Sequence, residues 1–272
     1  MEQPLLSVVI PVHNVAAYID RNLNSVVTQT YTNLEIIIVD DGSEDQTGPI
    51  IDGWAKKDAR IKIIHLTQNL GISRARNVGL TNAQGTYVTF LDGDDWCEPQ
   101  LCAFYVTHMQ RYQLDLMSCG YYIDPKGALS DTQSVGDQWL SQRKLIRLVR
   151  KMNSPIRGYN WNKCYRLDII RKYQLYFNES LILMEDQVFN VAYILKSKRY
   201  MYNSQPLYHY CQRTGSTIHQ PSLRKGKDVV VAITAIQSQI WYQDLTKVGQ
   251  RAATAKKQLA TTGHLKRDRR QN

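Results

Sequence analysis

The sequence predicts an α/β fold: a mainly parallel central sheet flanked by helices, with a C-terminal helical extension. Three observations lead there. Strand-like and helix-like segments alternate four times within about ninety residues, joined by short connections. The strand-like segments are near-continuous apolar runs, as expected of strands covered on both faces. Three of the four end in polar residues, at His13-Asn14, at Asp40-Asp41 and at Asp92 with its neighbours, which puts these side chains on one rim of the sheet.

Leu5 to Val12 is the first strand, limited at its end by Pro11. Val15, Ile19, Leu23, Val26 and Val27 then recur at helical spacing up to about Gln29. Leu34 to Val39 is the second strand and runs into Asp40-Asp41-Gly42-Ser43. Ser43 with Gln46 three residues on is a capping-box pattern, which opens a helix to about Ala55. Ile61 to Leu66 is the third strand. Asn69-Leu70-Gly71 turns the chain into a helix from Ile72 to about Asn82, which carries Arg74, Arg76 and Asn77, and Gly85 ends the unit. Tyr87 to Leu91 is short, apolar and aromatic-rich, the signature of a buried strand.

Beyond Pro99 a helix extends to about Tyr112, and Leu116 to Tyr122 reads as a strand. Asp124 to Gly136 is a polar loop, and Ser141 to Met152 is amphipathic. Arg157 to Arg166 is rich in aromatics and amides and follows no single period. Glu185 and Asp186 start an apolar-periodic helix to about Leu195. Tyr200 to Tyr210 is β-prone, and Arg213 to Thr217 is a turn. Val229, Ile233, Ile236 and Ile240 share one face of a helix over Val229 to Trp241. Little periodicity follows Gly249, so Arg251 to Asn272 is expected to fray.

With 43% hydrophobic and 21% charged residues, the 272-residue chain has a globular composition, which excludes a disordered protein. The net charge of +10 is unevenly placed. Leu223 to Asn272 holds eleven Lys or Arg and three Asp, a net +8, leaving +2 for the preceding 222 residues. No specific nucleic-acid surface is implied. The basic tail points instead to an acidic partner, an anionic membrane face or non-specifically bound RNA. The five cysteines are odd in number and lack metal-ligand spacing, as in a protein with reduced, mostly buried thiols. No apolar run nears the ~18 residues of a membrane span, and Met1-Glu2-Gln3-Pro4 has no signal-peptide character. The expected location is cytoplasmic, peripheral at most on the inner face of the cell membrane.

Asp92-Gly93-Asp94-Asp95 is the chemically most informative stretch. An acid cluster after a buried strand lies at the sheet's C-terminal edge, where open α/β sheets bind ligands. Three carboxylates in one turn repel and raise one another's pKa. A shared cation relieves this, and oxygen-only ligands favour Mg²⁺ or Mn²⁺. An isolated Asp-x-Asp is as often a solvated turn, so the weight falls on its neighbours.

Those neighbours form a familiar series. Pro11-Val12-His13-Asn14 resembles the Pro-Val-Tyr-Asn of family 2 glycosyltransferases, with His13 in place of Tyr. Val39-Asp40-Asp41-Gly42-Ser43-Glu44-Asp45-Gln46-Thr47 resembles their Val-Asp-Asp-Gly-Ser-x-Asp-x-Thr. Asn69 to Gly79 is similar to their Asn-x-Gly-x-Ser-x-Ala-Arg-Asn-x-Gly, and Phe90 to Asp95 to their Asp-x-Asp block. Asn162 to Arg166, Glu185 to Phe189 and Tyr208 to Ser216 resemble later blocks. The matches run in order from about Ser7 to Ser216.

The resemblance implies an α/β GT-A (Rossmann-like) fold. Residues 1–222 form the glycosyltransferase domain, with a nucleotide-binding half of about 1–98 and an acceptor half of about 99–222. Residues 223–272 form the amphipathic helix and basic tail. It implies a nucleotide-sugar donor, usually a UDP-sugar, a saccharide or lipid-linked saccharide acceptor, and Mn²⁺ or Mg²⁺ as cofactor. Asp94 is the first choice of metal ligand, and Asp92 meets the ribose and helps position the metal.

Asp40 accepts hydrogen bonds from the uracil or ribose edge, with Asp41 sharing the role. The alternative for Asp41 is stabilisation of a helix N-terminus. Val12 and Asn14 flank the base, and Arg76 reaches the base or a phosphate oxygen. Asp186 is the general base of an inverting transfer, its proton affinity raised by Glu185. Trp96 and Trp161 are candidates for sugar stacking, with core packing the equal alternative. Lys163 faces phosphates or acceptor, or else solvent, and His209 and Arg213 lie where the family closes over the diphosphate.

Two enzyme classes fit less well. A nucleotidyltransferase brings a Gly-rich basic loop after its first strand, and a dinucleotide-dependent oxidoreductase brings GxGxxG; neither is present. A non-catalytic sugar-nucleotide-binding protein of the same fold remains an alternative, against which stand Asp40, Asp94 and Asp186.

Overall fold

Strand β1 (Leu6–Val12) is buried at every position, so its alternating side chains must meet an apolar layer on each face. They do. Leu6, Val8, Ile10 and Val12 join one hydrophobic cluster and Val9 the other. In this computed structural model, which describes residues 3–124, 128–129, 136–151, 154–212 and 226–246, the result is helices packed on both faces of one sheet.

The elements over the first ninety residues follow the sequence. Helix α1 (Ile19–Val27), β2 (Leu34–Asp40), α2 (Thr47–Ala55), β3 (Ile61–His65), α3 (Ile72–Asn82) and β4 (Tyr87–Phe90) succeed one another. Parallel pairing joins β3 to β2, β2 to β1 and β1 to β4. Helix α3 lies close over β1 because Gly79 faces it; a Cβ there would collide with Val9 Cγ1. Glu35 of β2 is buried and closes the opposite edge, accepting from Ser7 Oγ at 2.6 Å, Gly85 N at 2.9 Å and Lys62 Nζ at 3.1 Å. Burial opposes its ionisation, but these donors hold it below the usual carboxylate range.

The second half departs from the expected pattern. The chain continues through β5 (Trp96–Cys97), α4 (Leu101–Arg111), β6 (Leu116–Asp124), β7 (Ala128–Leu129), β8 (Gln138–Leu140) and α5 (Gln142–Arg150). Then follow β9 (Lys163–Arg166), α6 (Leu167–Lys172), α7 (Glu185–Lys196), β10 (Tyr200–Cys211) and a helix α8 over 226–246. The order across the sheet is β3-β2-β1-β4-β9-β6-β10-β5, with β7 on β6 and β8 on β10. The aperiodic stretch from Arg157 supplies β9, which runs antiparallel to both β4 and β6. Its residues are buried on two faces and hydrogen-bonded on two edges, so no period-2 alternation marks it.

The capping-box expectation is corrected. Helix α2 starts at Thr47 with no side-chain cap, and Ser43 Oγ instead accepts from Asn14 N at 3.1 Å. Helix α5 is capped by Ser141, whose Oγ accepts from Lys144 N. Part of the polar loop expected from Asp124 pairs as β7, and Asp124 itself ends β6. Cys97, Cys102, Cys119 and Cys164 are buried and Cys211 half-buried, all as free thiols. Among the described residues no helix is long and apolar enough to cross a membrane. The tail from 247 on, the expected turn at 213–217 and Arg213 lie outside the described residues.

Candidate active site

The C-terminal ends of β1 to β4 share one rim, as parallel pairing requires. Between the loops after β1, β2 and β3 lies a cavity of about 590 Å³, lined by His13, Asn14, Asp40, Glu44, His65 and Asn69 among others. Asp40 forms its wall. Its Oδ1 accepts from Ser43 N at 3.0 Å, and its Oδ2 lies 2.9 Å from His65 Nδ1. His65 Nε2 is 3.2 Å from Asp52 Oδ1.

Asp41 faces away from this cavity. Its two oxygens accept from Leu70 N and Gly71 N, each at 2.8 Å, and so fix the loop that leads into α3. These bonds put the Asp41 carboxylate at the N-terminus of α3, whose N-cap residue is Gly71, in keeping with the alternative of helix N-terminus stabilisation. Asn14 adopts φ 51°, and its Oδ1 accepts from Glu44 N at 2.8 Å, tying the first loop to the second. Val12 contributes a buried floor. Its carbonyl accepts from Asp41 N, and its side chain packs under Gly93, where a Cβ would come within 2.8 Å of Val12 Cγ1.

The turn after β4 is braced from three sides. Asn22 of α1, fully buried, donates to the carbonyls of Asp92 and Asp95, both at 2.9 Å. Tyr208 of β10 accepts from Asp92 N at 3.2 Å and donates to Asp95 Oδ2 at 2.5 Å. Asp95 Oδ1 accepts from Cys211 N, so this acid anchors the turn to β10. Burial, then the charges of Asp94 and Asp92, push its carboxyl well above the usual range. Asp92 and Asp94 are half-buried.

Arg76 occupies the centre. It is 2% exposed, and its position on α3 aims it beneath the rim. Nη2 bonds Asp92 Oδ1 at 2.9 Å; Nη1 bonds Glu185 Oε1 at 3.0 Å and Asp186 Oδ1 at 2.6 Å. The expected reach to base or phosphate is therefore corrected: the guanidinium is consumed by three carboxylates. Burial opposes its charge, but Asp186, Asp92 and Glu185 overcome this and hold it above its ordinary value. One cation among three acids leaves an anionic surplus. Burial, with Glu185 and Asp92, accordingly pushes Asp186 well above the usual carboxylate range, against the pull of Arg76.

Helix α7 delivers Glu185 and Asp186 through a left-handed residue, Met184 at φ 66°. Asn190, one turn on, accepts from Tyr165 Oη at 2.8 Å and donates to Gly158 O at 2.7 Å, which locks α7 to the loop before β9.

The remaining candidates serve the scaffold. Lys163 is fully buried, and its Nζ donates to Arg157 O, Tyr159 O and Asn162 Oδ1. Burial pushes its ammonium down to about 7, against the charge of Asp186. The solvent-facing alternative is therefore corrected, because the Lys163 ammonium is enclosed by these three acceptors. Trp161 is 2% exposed and stacks on Tyr208 at 4.4 Å and Tyr159 at 4.6 Å, so core packing replaces sugar stacking. Trp96 stacks on His209 at 3.4 Å and donates to Asp124 Oδ2 at 3.0 Å. His209 is sandwiched between Trp96 and Tyr122, with Glu98 2.8 Å from Nε2. It lies within the sheet's far edge rather than over the cavity.

The sequence reading missed His65, Asn22 and Tyr208. Drawing the third strand through Leu66 hid His65, which ends β3 at the same rim where the other strand ends were noticed. Tyr208 opens a block matched to the family but its bracing role is not visible there, and nothing local marks Asn22.

The donor set is all oxygen, and the surplus negative charge suits a divalent ion. Among the described residues no group of three or more His, Cys, Asp or Glu forms a complete cage. One or two carboxylates completed by phosphate oxygens would need none.

Comparisons with known proteins agree with this architecture. Staphylococcus aureus TarS 1–349, solved with UDP, superposes with a TM-score of 0.71 at 24% identity, over 86% of this chain and 65% of that one. EpsJ of Bacillus subtilis, an uncharacterised glycosyltransferase, is 32% identical over 224 residues, 80% of this chain and 64% of its own. EpsH of the same organism is 35% identical over 214 residues, 77% of this chain and 61% of its own. The chain thus spans less than two thirds of the length of these relatives. The family model for glycosyl transferase family 2 matches residues 7–174, which covers the rim, the cavity and the Arg76 helix. The protein has the α/β GT-A fold and belongs to glycosyl transferase family 2.

Proposed function

We propose that the protein is a metal-dependent inverting glycosyltransferase. It moves a sugar, most simply a hexose, from a UDP-sugar to a hydroxyl of a saccharide or lipid-linked saccharide. The observation that carries the reading is the Arg76 bridge. It joins Asp92 of the acid turn to Asp186 of α7, so a donor-side acid and a candidate base share one guanidinium, and the acid turn follows β4 on the same sheet rim whose β1, β2 and β3 loops enclose the cavity.

In this reading Asp40 accepts the imide N–H of uracil inside the cavity, and His13 borders the base. Asp94, with Asp92, would hold Mn²⁺ or Mg²⁺, which when bound neutralises diphosphate charge and eases departure of UDP. The acceptor oxygen attacks C1 from the face opposite the diphosphate. The O–C1 bond forms as the C1–O phosphate bond breaks, the electron pair leaves with UDP, and the hydroxyl proton passes to Asp186. A carboxylate whose proton affinity is raised is suited to that transfer. TarS has been solved with UDP and with UDP-GlcNAc, which makes UDP-sugars the donors to test first.

A donor screen tests this. Purified protein with Mn²⁺ or Mg²⁺ and a panel of UDP-, GDP- and dTDP-sugars, with candidate acceptors, should release UDP from one donor. EDTA should abolish release, and Asp94→Ala should lower it by about 10²-fold or more, given the several kcal/mol that a metal supplies. EDTA-insensitive turnover would sink the metal assignment. Failure to bind UDP in calorimetry would sink the donor assignment.

Surface-polysaccharide synthesis at the inner face of the membrane fits the same reading. Helix α8 packs Ala232 and Ile236 inward and leaves Val230, Trp241, Tyr242 and Leu245 exposed, and residues 247–272 that follow it in sequence carry eight Lys or Arg and one Asp, a net +7. Asp228 Oδ2 of α8 accepts from Ile182 N at 2.9 Å, just before the Asp186 helix, so contact there would bring lipid-linked acceptors near the base. Sedimentation should show binding to anionic vesicles that weakens with salt. Equal binding to neutral vesicles would reject the electrostatic part.

A further inference from the structure

We propose that His65 is a positioning residue for nucleobase recognition: clamped between Asp40 and Asp52, its imidazole sets the Asp40 carboxylate and couples nucleotide binding to pH. The inference rests on the donor reading above, and deepens it.

The geometry is a three-group chain at the cavity wall. Asp52 Oδ1 lies 3.2 Å from His65 Nε2, and Asp40 Oδ2 lies 2.9 Å from His65 Nδ1. Asp40 Oδ1 is held separately by Ser43 N. A neutral imidazole has one N–H and can satisfy only one of the two carboxylates. The other then faces a nitrogen lone pair. The imidazolium satisfies both, and in that form the Asp40 carboxylate is fixed at both oxygens with lone pairs left to accept from the base.

The charges around the ring agree on the direction. Asp40 comes from β2 and Asp52 from α2, while His13 and Glu44 line the cavity from the loops after β1 and β2. On β3 itself, Lys62 is engaged by Glu35. The bond to Asp40 raises the imidazole above its ordinary value; burial opposes this and Asp52 adds to the rise. An imidazolium also places a positive charge beside a site for an anionic nucleotide. Nucleoside diphosphate therefore binds the protonated form more tightly, and affinity falls as pH rises through the raised value.

Calorimetry with UDP and Mn²⁺ between about pH 6 and pH 8.5 tests the coupling across the range where a histidine titrates. The proteins compared are the unmodified chain, His65→Asn and His65→Leu. Asn places an amide nitrogen near the position of Nδ1, keeps the bond to Asp40 and never titrates. The unmodified protein should lose roughly fivefold more affinity over this range than His65→Asn, about 1 kcal/mol of coupling between protonation and binding. The pH dependence of the UDP phosphate itself is common to both and cancels.

His65→Leu should bind more weakly than His65→Asn at every pH, a difference that a purely structural histidine would not produce in two folded proteins. Identical pH profiles for the unmodified protein and His65→Asn would overturn the proposal. If the unmodified protein bound no UDP at any pH, the donor reading would fall, and this proposal with it.

Discussion

On the proposed mechanism, Asp186→Asn lowers glycosyl transfer by about 10²–10⁴-fold, the range expected for loss of a general base, while UDP affinity stays within about twofold. The split follows from position. Asp186 opens α7 and bonds Arg76 on one side of the rim, whereas the nucleotide cavity is walled by Asp40, His65 and the loops after β1 and β2. Asn preserves shape and can still accept from Arg76, so the fold survives with its base removed.

The same mechanism gives the unmodified protein a second signature. Burial, Glu185 and Asp92 push the Asp186 carboxyl upward, so the deprotonated, active base appears only at pH above the usual carboxylate range. Transfer rate should therefore climb on an acid limb displaced to higher pH than an exposed aspartate would give. Single-turnover rates across that limb, set beside calorimetric UDP affinities, measure both quantities. An Asp186→Asn protein that keeps its rate would remove the residue from the chemistry.

Arg76→Met destabilises the protein by about 3–5 kcal/mol, the usual cost of leaving a buried charge cluster without its partner. At this chain length that is roughly 6–20 °C in Tm. Among the described residues, Asp92, Glu185 and Asp186 share this one guanidinium as their ion-pair partner. Its removal leaves three carboxylates facing one another.

Arg76→Lys should recover only part of the loss. One ammonium cannot reach Asp92 with one nitrogen and the Glu185–Asp186 pair with another. The deficit should shrink on acidification, because protonated carboxyls no longer repel. Thermal denaturation near pH 5 and near pH 8 reads this directly. An Arg76→Met protein as stable as the parent at both pH values would show that the bridge contributes nothing to the fold.

Much of this site could be read from the chain. The near-continuous apolar runs at β1 and β2 required a sheet covered on both faces, and the parallel βαβ order required that their C-terminal ends share a rim. With the rim came Asp40, Asp92 and Asp94, because a residue that follows a strand has little choice of where it emerges. These are short-range consequences of periodicity and chain direction, and local sequence determines them.

Partners across long sequence separation belong to another class. Arg76 meets Asp92 across 16 positions and Asp186 across 110, and Asp41 meets the Gly71 amide across 30. An arginine at the start of a helix near a ligand edge looks the same from sequence whether it reaches outward to phosphate or inward to carboxylates. The close approach of α3 over β1 at Gly79 lowered it beneath the rim, and the arrival of α7 supplied the acids.

Lys163, Trp161 and His209 went the same way. Each is a polar or amphipathic side chain whose orientation was decided by β9 and β10, strands that the local pattern had not resolved or had not placed in the sheet. The sequence determined which residues stand at the rim. Tertiary packing decided which of them face the ligand and which hold the rim together, because desolvation and ion pairing act only between groups that folding has already brought into contact.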